Sequence, residues 1–586
     1  MNRVGKSKRV ILIFLSIMML GTLPNTTSSA DEIPDEQYAI PTTPDSKKIG
    51  ILFLSSLMAN LAGYLSADAT PHNVDAQGYS TTAQALCSSV DDAFCKAGVA
   101  IYYLAHLPTC LNEADIDCIA GMYAIKPDGT KVDGILLRGI PNKPSNPHEG
   151  NPILGIPRAG VDGLWQLPGV VNGSGSDTYL VIANQSGSIS KEKGVTLNER
   201  IPSATFGAQI VPVKVLLGTY TPAYVGEMIA KNGTKRLAWY APTGLGTEAC
   251  AGVSNTECAR RETFPFETVF GLSLRLSGEV KGWLHGRIRD PLIDYKSTST
   301  ITRITIQALP VSVPVVAGWT DRANLPAVIP GALVEPVPGT MMTGGTTVEN
   351  TIALLKLWLP LLGDKAQANP MLWQFSSLQF SNLPGANSCM FDSKSLAGFV
   401  STNSTIYTDG PPLYNSETGS IDYKLASPHF TRKGEVFKGV YNLTIRSDVA
   451  RCIYKFTNAP ITATISVTDE SGQSSVAVES MSERDGWIYL SASGFTFSSP
   501  TVHVKLIGTP ISASPIATPS PTPLATSSAS PSPEATPIET PTPTPTPSVS
   551  STKPVIRKST IICLKGRLIK KITNINPKCP KGYKNK

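Results

Sequence analysis

The sequence predicts a mainly β fold with an N-terminal helical segment: antiparallel sheet and sandwich domains, then a disordered Pro/Thr linker and a small disulfide-stapled C-terminal hairpin. Three observations carry this reading. In short runs within 119–320 and again within 433–508 apolar residues recur at period two, which sends alternate side chains to opposite faces of a strand. Turn signals such as Lys126-Pro-Asp-Gly-Thr130, Lys231-Asn-Gly-Thr234 and Asp485-Gly486 separate the runs. Residues 513–552 are a Pro/Thr/Ser/Ala tract with 11 prolines, a composition that buries no core.

The elements follow in chain order. Residues 1–30 read as a secretory signal. Arg3, Lys6, Lys8 and Arg9 are the basic region, Val10–Leu20 the apolar core, and Ser28-Ser29-Ala30 the small residues before a cut ahead of Asp31. Residues 31–118 are expected to be a helical, cysteine-containing segment. Apolar spacing near 3.6 over 46–107 places Ile51, Leu54, Leu57, Met58, Leu61 and Leu65 on one stripe. The uncharged run Ile49–Ala67 approaches the length of a bilayer span, but Ser55, Ser56, Asn60 and Gly63 favour a packed helix.

Residues 119–320 are expected to be an antiparallel β domain. Leu272, Leu274 and Leu276 alternate with Ser273, Arg275 and Ser277; Ile304 and Ile306 alternate with Arg303, Thr305 and Gln307. Residues 321–432 read as mixed loop and helix, with Thr347–Leu362 helical, Thr347 or Thr346 its cap and Pro360 near its end. Residues 433–508 read as a small β-sandwich-like module, with alternation at Tyr441–Ile445, Ile461–Val467 and Val502–Leu506. Linker (509–552) and basic tail (553–586) follow.

Charge is unevenly placed. The net +7 arises from +4 in the signal and +11 in the tail, so residues 31–552 carry −8. The basic pI therefore belongs to the ends, and nucleic acid is not an expected partner. Ten cysteines in an exported chain predict five disulfides. Cys87/Cys95, Cys110/Cys118 and Cys250/Cys258 share the spacing C-x7-C, which one helix would hold roughly 12 Å apart; local pairing needs a turn in each. Crossed pairing among the first four stays open. Cys389–Cys452 and Cys563–Cys579 are the remaining expected bridges. No C-x2-C or Cys/His cluster points to a metal, and no cofactor is implied.

Enzyme signatures are scarce. G-x-S-x-G, H-E-x-x-H and a Walker loop are missing, and Ser188-Ile-Ser-Lys191 matches S-x-x-K without its companion motifs, so Ser188 reads as a loop serine. The strongest constellation is the polar side of the 272–307 strands: Trp283, His285, Arg287 and Arg289 on one strand, with Arg275 and Arg303 from flanking strands. Guanidinium forks and a flat indole suit an anionic or sugar ligand. The competing reading is a solvated outer face. In the tail, Lys565, Arg567, Lys570, Lys571, Lys578 and Lys581 are candidate contacts to anionic envelope polymers.

Arg446-Ser-Asp-Val-Ala-Arg-Cys-Ile-Tyr454, Glu483-Arg-Asp-Gly-Trp487 and Ser493-Gly-Phe-Thr-Phe497 together resemble a C-terminal module of secreted actinobacterial surface proteins. The tail, with Ile562-Cys-Leu-Lys565 and Pro577-Lys-Cys-Pro-Lys581, is similar to the tail such proteins carry after a Pro/Thr linker. The resemblance covers 433–586, and more loosely 110–320; it implies export and a surface role and brings no catalytic residue. The expectation is a secreted, surface-associated binding or structural protein whose partners are anionic envelope polymers or surface glycans. It has no membrane span after signal cleavage. The alternative is an extracellular hydrolase using two carboxylates about 5 to 10 Å apart.

Overall fold

The computed structural model describes residues 33–42, 45, 47–54, 61–77, 79–190, 203–244, 248–330, 337–345, 347–378, 389–390, 395–408, 411–456, 462–468, 474–476, 478–497 and 501–507. In the tail it describes the backbone of 559–565, 568–574 and 584–585, and Lys578. The chain divides into two compact units, 1–512 and 513–586. Residues 1–30, expected to be a signal, and the Pro/Thr-rich stretch 509–552 lie outside the described residues.

The period-two runs become strands of facing sheets. Val269–Ser277 sits between Ile301–Leu309 and Cys118–Ile125 in a five-stranded sheet that also holds Arg289–Ser297 and Lys131–Asp133. Phe270, Leu272, Leu274, Ile304 and Ile306 all point inward. They pack on Val181, Ala183, Phe206, Ile210, Trp373 and Phe375 of a long sheet built around Thr178–Ser190 and Ser203–Leu217.

That long sheet continues through Gln374–Ser377, Gly282–Arg287, Leu396–Thr402, Lys438–Arg446, Trp487–Thr496 and Val478–Arg484. Its far half is covered on the opposite face by a second sheet, including Ser420–Ala426, Thr501–Ile507 and Thr462–Thr468. Ala397, Val400, Leu443, Ile445 and Leu490 meet Ile421, Tyr423, Ile465, Val502 and Val504 in that second core. The strands of 433–508 thus do not close a sandwich of their own. They share it with 396–432, where the sequence reads as loop and helix.

The helix at Val348–Trp358 forms as expected, with Thr347 Oγ1 accepting from Asn350 N at 3.2 Å. Both expected hairpins form as well: Cys118–Ile125 with Lys131–Asp133, and Tyr224–Ile229 with Lys235–Tyr240. Ser188 lies in the strand Thr178–Ser190 rather than in a loop.

The helical reading of residues 46–107 is corrected. Among the described residues the chain forms strands Lys48–Phe53, Tyr64–Asp68, Gln84–Leu86 and Ala100–His106, with a short helix at Ala93–Ala97; Leu57 and Met58 of the expected stripe lie outside the described residues. Lys48–Phe53 pairs with Val316–Asp321, and Ile49, Ile51 and Phe53 pack on Leu354, Leu355 and Trp358. A partner strand some 270 residues away overrides local spacing. Among the described residues no helix is long and apolar enough to cross a membrane.

The segment ahead of the first strand is strapped across the body. Asp35 accepts from Asn369 N at 2.9 Å and pairs with Arg432 at 2.8 Å. Glu36 accepts from Met371 N at 2.9 Å and from Thr263 Oγ1 at 2.8 Å. Gln37 donates to the Arg261 carbonyl at 3.1 Å, and Trp319 Nε1 donates to the Pro41 carbonyl at 3.1 Å.

Among the described residues four disulfides form: Cys87–Cys95, Cys110–Cys118, Cys250–Cys258 and Cys389–Cys452. The first four cysteines pair locally, which decides the question their spacing left open. Cys452 lies on the helix Ser447–Tyr454. In the tail, Ser559–Lys565 pairs with Leu568–Asn574 as a hairpin. Cys579 lies outside the described residues.

Candidate functional site

The structure separates the residues of the expected polar face. Gly282–Arg287 does not pair with its sequence neighbours. It leaves the five-stranded sheet and enters the long one, between Gln374–Ser377 and Leu396–Thr402. Both faces of that strand are covered. Leu284 faces one core, and Trp283 faces the other at 2% exposure. Trp283 Nε1 donates to the Met390 carbonyl at 2.7 Å.

Arg287 is buried. It donates to the carbonyls of Thr402 and Thr405 and lies over the Tyr407 ring, 4.1 Å from the centroid. His285 Nε2 meets Ser376 Oγ at 3.1 Å, and Nδ1 meets the Tyr407 hydroxyl. Burial, with the Arg287 charge beside it, pushes the ring down to about 4. These are groups satisfied inside the body, and the expectation that they present a ligand face is corrected.

The other three arginines stand apart. Arg275, on the five-stranded sheet, donates to the Asn112 carbonyl at 2.6 Å and pairs with Glu113 at 2.9 Å. Arg303 is exposed, opposite Arg275 in the ladder. Arg289 opens the next strand of that sheet and lies 3.7 Å from Asp290. In the tail, Lys578 is exposed. Lys565, Lys570 and Lys571 lie on the hairpin strands, while Arg567 and Lys581 fall outside the described residues.

A cleft elsewhere gathers polar side chains that sequence reasoning passed over. Its volume is about 750 Å3. Three loops converge on it: 138–145, 221–224 and 254–257. Each has a local cause. The Cys250–Cys258 disulfide ties the hairpin whose turn presents Ser254, Asn255 and Thr256. Ser145 Oγ donates to the Ala223 carbonyl at 2.7 Å, locking the first loop to the second. A bulge at Leu137 shifts the ladder so that Arg138 stands opposite Leu164, which re-aims its side chain. Arg138 then reaches Glu257 at 2.7 Å.

The rim is aromatic. The turn at Asn232-Gly233 sets Tyr224 directly opposite Tyr240, and their rings stack at 4.4 Å and 10°. Gly226 makes room beneath them, since a Cβ there would lie 3.2 Å and 3.3 Å from the two rings. Both tyrosines keep about two-fifths of their surface exposed.

Beside the cleft lies a pocket of about 40 Å3 that shares Pro141, Ser145 and Pro222 with it. It is lined in part by a buried ion pair. His106 donates from Nδ1 to Asp162 Oδ1 at 2.7 Å and from Nε2 to the Leu61 carbonyl at 2.9 Å. Both partners are acceptors, so the ring that satisfies both is the imidazolium. Burial opposes that charge, but Asp162 and the Leu61 carbonyl outweigh it and the His106 pKa is raised. Its stabilisation is therefore full below the ordinary value of 6.5 and is lost as pH rises through the raised one. His106→Gln is expected to destabilise most at about pH 5 and progressively less toward about pH 9. Denaturant unfolding across that range checks it; a difference independent of pH contradicts it.

Among the described residues, Glu248, Cys250 and Cys258 bring metal-ligating atoms together, but the two sulfurs are bonded to each other and offer no thiolate. No protein-family model matches the chain, and no curated protein matches it.

Proposed function

We propose that the protein is an exported binding protein that holds a polar surface polymer or glycan in the 138–145/221–224/254–257 cleft. The cleft's composition carries this reading: hydroxyl and amide side chains from three loops surround an open cavity, with a stacked tyrosine pair on its rim. Disulfides at Cys87–Cys95, Cys110–Cys118, Cys250–Cys258 and Cys389–Cys452 support an oxidising compartment. The basic tail would add a second, charge-driven contact to anionic envelope polymers. Glu257 is the one carboxylate among the described residues lining the cleft, which favours binding over two-carboxylate hydrolysis there.

The test is a glycan and wall-polymer array probed with the full chain and with Tyr224→Ala. The full chain is expected to retain a defined subset of spots that Tyr224→Ala loses, while salt-sensitive binding through the tail persists in both. Identical patterns for the two proteins would remove the cleft from the binding reading.

A further inference from the structure

The cleft's charge runs against that of the body around it. Residues 31–552 carry a net −8, yet the described residues lining the cleft contribute Arg138, Lys143 and a single acid, Glu257. Arg138 is matched by Glu257 at 2.7 Å. Lys143 is exposed and has no ion-pair partner among the described residues. The surplus positive charge thus sits on the 138–145 loop. From the other side, Tyr224 lines the cleft and leads through its stacked partner Tyr240 onto the outer hairpin face, where Met228 is also exposed. An ammonium attracts a carboxylate, and a tyrosine face accepts the apolar side of a pyranose ring.

We propose that the cleft takes a uronic-acid-bearing glycan chain, one sugar carboxylate at Lys143 and a neighbouring ring against Tyr224 and Tyr240. This rests on the cleft-binding reading above and adds the ligand's charge and its direction across the site. The cation selects the acid; the tyrosines hold the sugar whatever its charge.

The experiment titrates the full chain calorimetrically with three probes: tetragalacturonate, the same tetrasaccharide with its carboxylates reduced to alcohols, and poly(glycerol phosphate), which has charge without a sugar ring. Because the tail binds anions on its own account, the titrations compare full-length variants that all retain it. Wild type is expected to bind tetragalacturonate about ten-fold more tightly than the reduced sugar, the scale of one charge-assisted contact. Lys143→Gln is expected to bring the two sugars to within about two-fold of each other. Tyr240→Ala is expected to weaken both about ten-fold and leave their ratio unchanged. Both positions are exposed, and an unchanged thermal midpoint verifies the fold.

Equal wild-type affinity for the charged and the reduced sugar overturns the proposal but leaves a sugar-binding cleft. So does a preference that survives Lys143→Gln. Poly(glycerol phosphate) binding that responds to Lys143→Gln and not to Tyr240→Ala shows charge alone at work and overturns the sugar. If neither sugar binds and Tyr224→Ala changes nothing, the cleft-binding reading fails as well.

Discussion

Trp283→Ala is expected to destabilise the body by about 3–5 kcal/mol, the usual cost of deleting a buried indole. The residue is 2% exposed, and its ring lies so close over Gly398 that a Cβ there would come within 2.3 Å of it. The Met390 carbonyl also loses its donor. Arg287→Ala should add a separate loss, since the Thr402 and Thr405 carbonyls would be left without the guanidinium. By contrast, Arg303→Ala changes an exposed side chain and should stay within about 0.5 kcal/mol of wild type. Chemical denaturation of the three variants measures all of this. A Trp283→Ala protein as stable as wild type would mean that the indole is not in the core.

Glu36→Ala is expected to cost on the order of 2–5 kcal/mol, from two half-buried donors losing one charged acceptor. Met371 N and Thr263 Oγ1 both point at this carboxylate. The nearby Arg261 guanidinium, drawn down to about 10 by burial, loses the negative charge that counters that burial. Glu36→Gln keeps an acceptor but not the charge, so it should recover part of the loss. Removing residues 31–38 altogether should cost more than Glu36→Ala, because Asp35 and Gln37 make independent contacts. If a truncated protein beginning at Ala39 unfolds at the same denaturant concentration as the full chain, the strap contributes nothing to stability.

Much of the β architecture was legible because the inward residues of the five-stranded sheet alternate with polar ones. Leu272, Leu274, Leu276, Ile304 and Ile306 are core on that signal alone. Alternation misled at Gly282–Arg287 for a definable reason. It assumes one wet face, whereas this strand is covered on both, and a tryptophan, a histidine and an arginine can be buried if each finds a partner. The departure of that strand from the meander depends on contacts with Gln374–Ser377 and Leu396–Thr402, more than 80 residues away, which no local pattern announces. The 46–107 segment failed likewise, since Ile49, Ile51 and Phe53 fit period two once Val316–Asp321 is present to pair with them.

The cleft was half legible. The turn at Lys231-Asn-Gly-Thr234 was read correctly, but the register that sets Tyr224 across from Tyr240 is given by the structure alone. The C-x7-C at Cys250 and Cys258 likewise marked the turn that supplies Ser254, Asn255 and Thr256. The convergence of those two hairpins with the 138–145 loop was not legible, because it is made by tertiary contacts such as Ser145 to Ala223.

The doubly covered strand Gly282–Arg287 has a consequence for how the body comes apart. Its Leu284 belongs to one core and its Trp283 to the other, and Phe399 and Val400 divide in the same way on the adjacent strand. Neither core can open while the other stays shut, because the wall they share would have to leave both. The two should therefore melt in a single transition, with matching calorimetric and van't Hoff enthalpies across them. Amide protons along this wall should exchange only through global opening. A protease would meet these two cores either closed or fully undone, with no half-open form in which one survives the other.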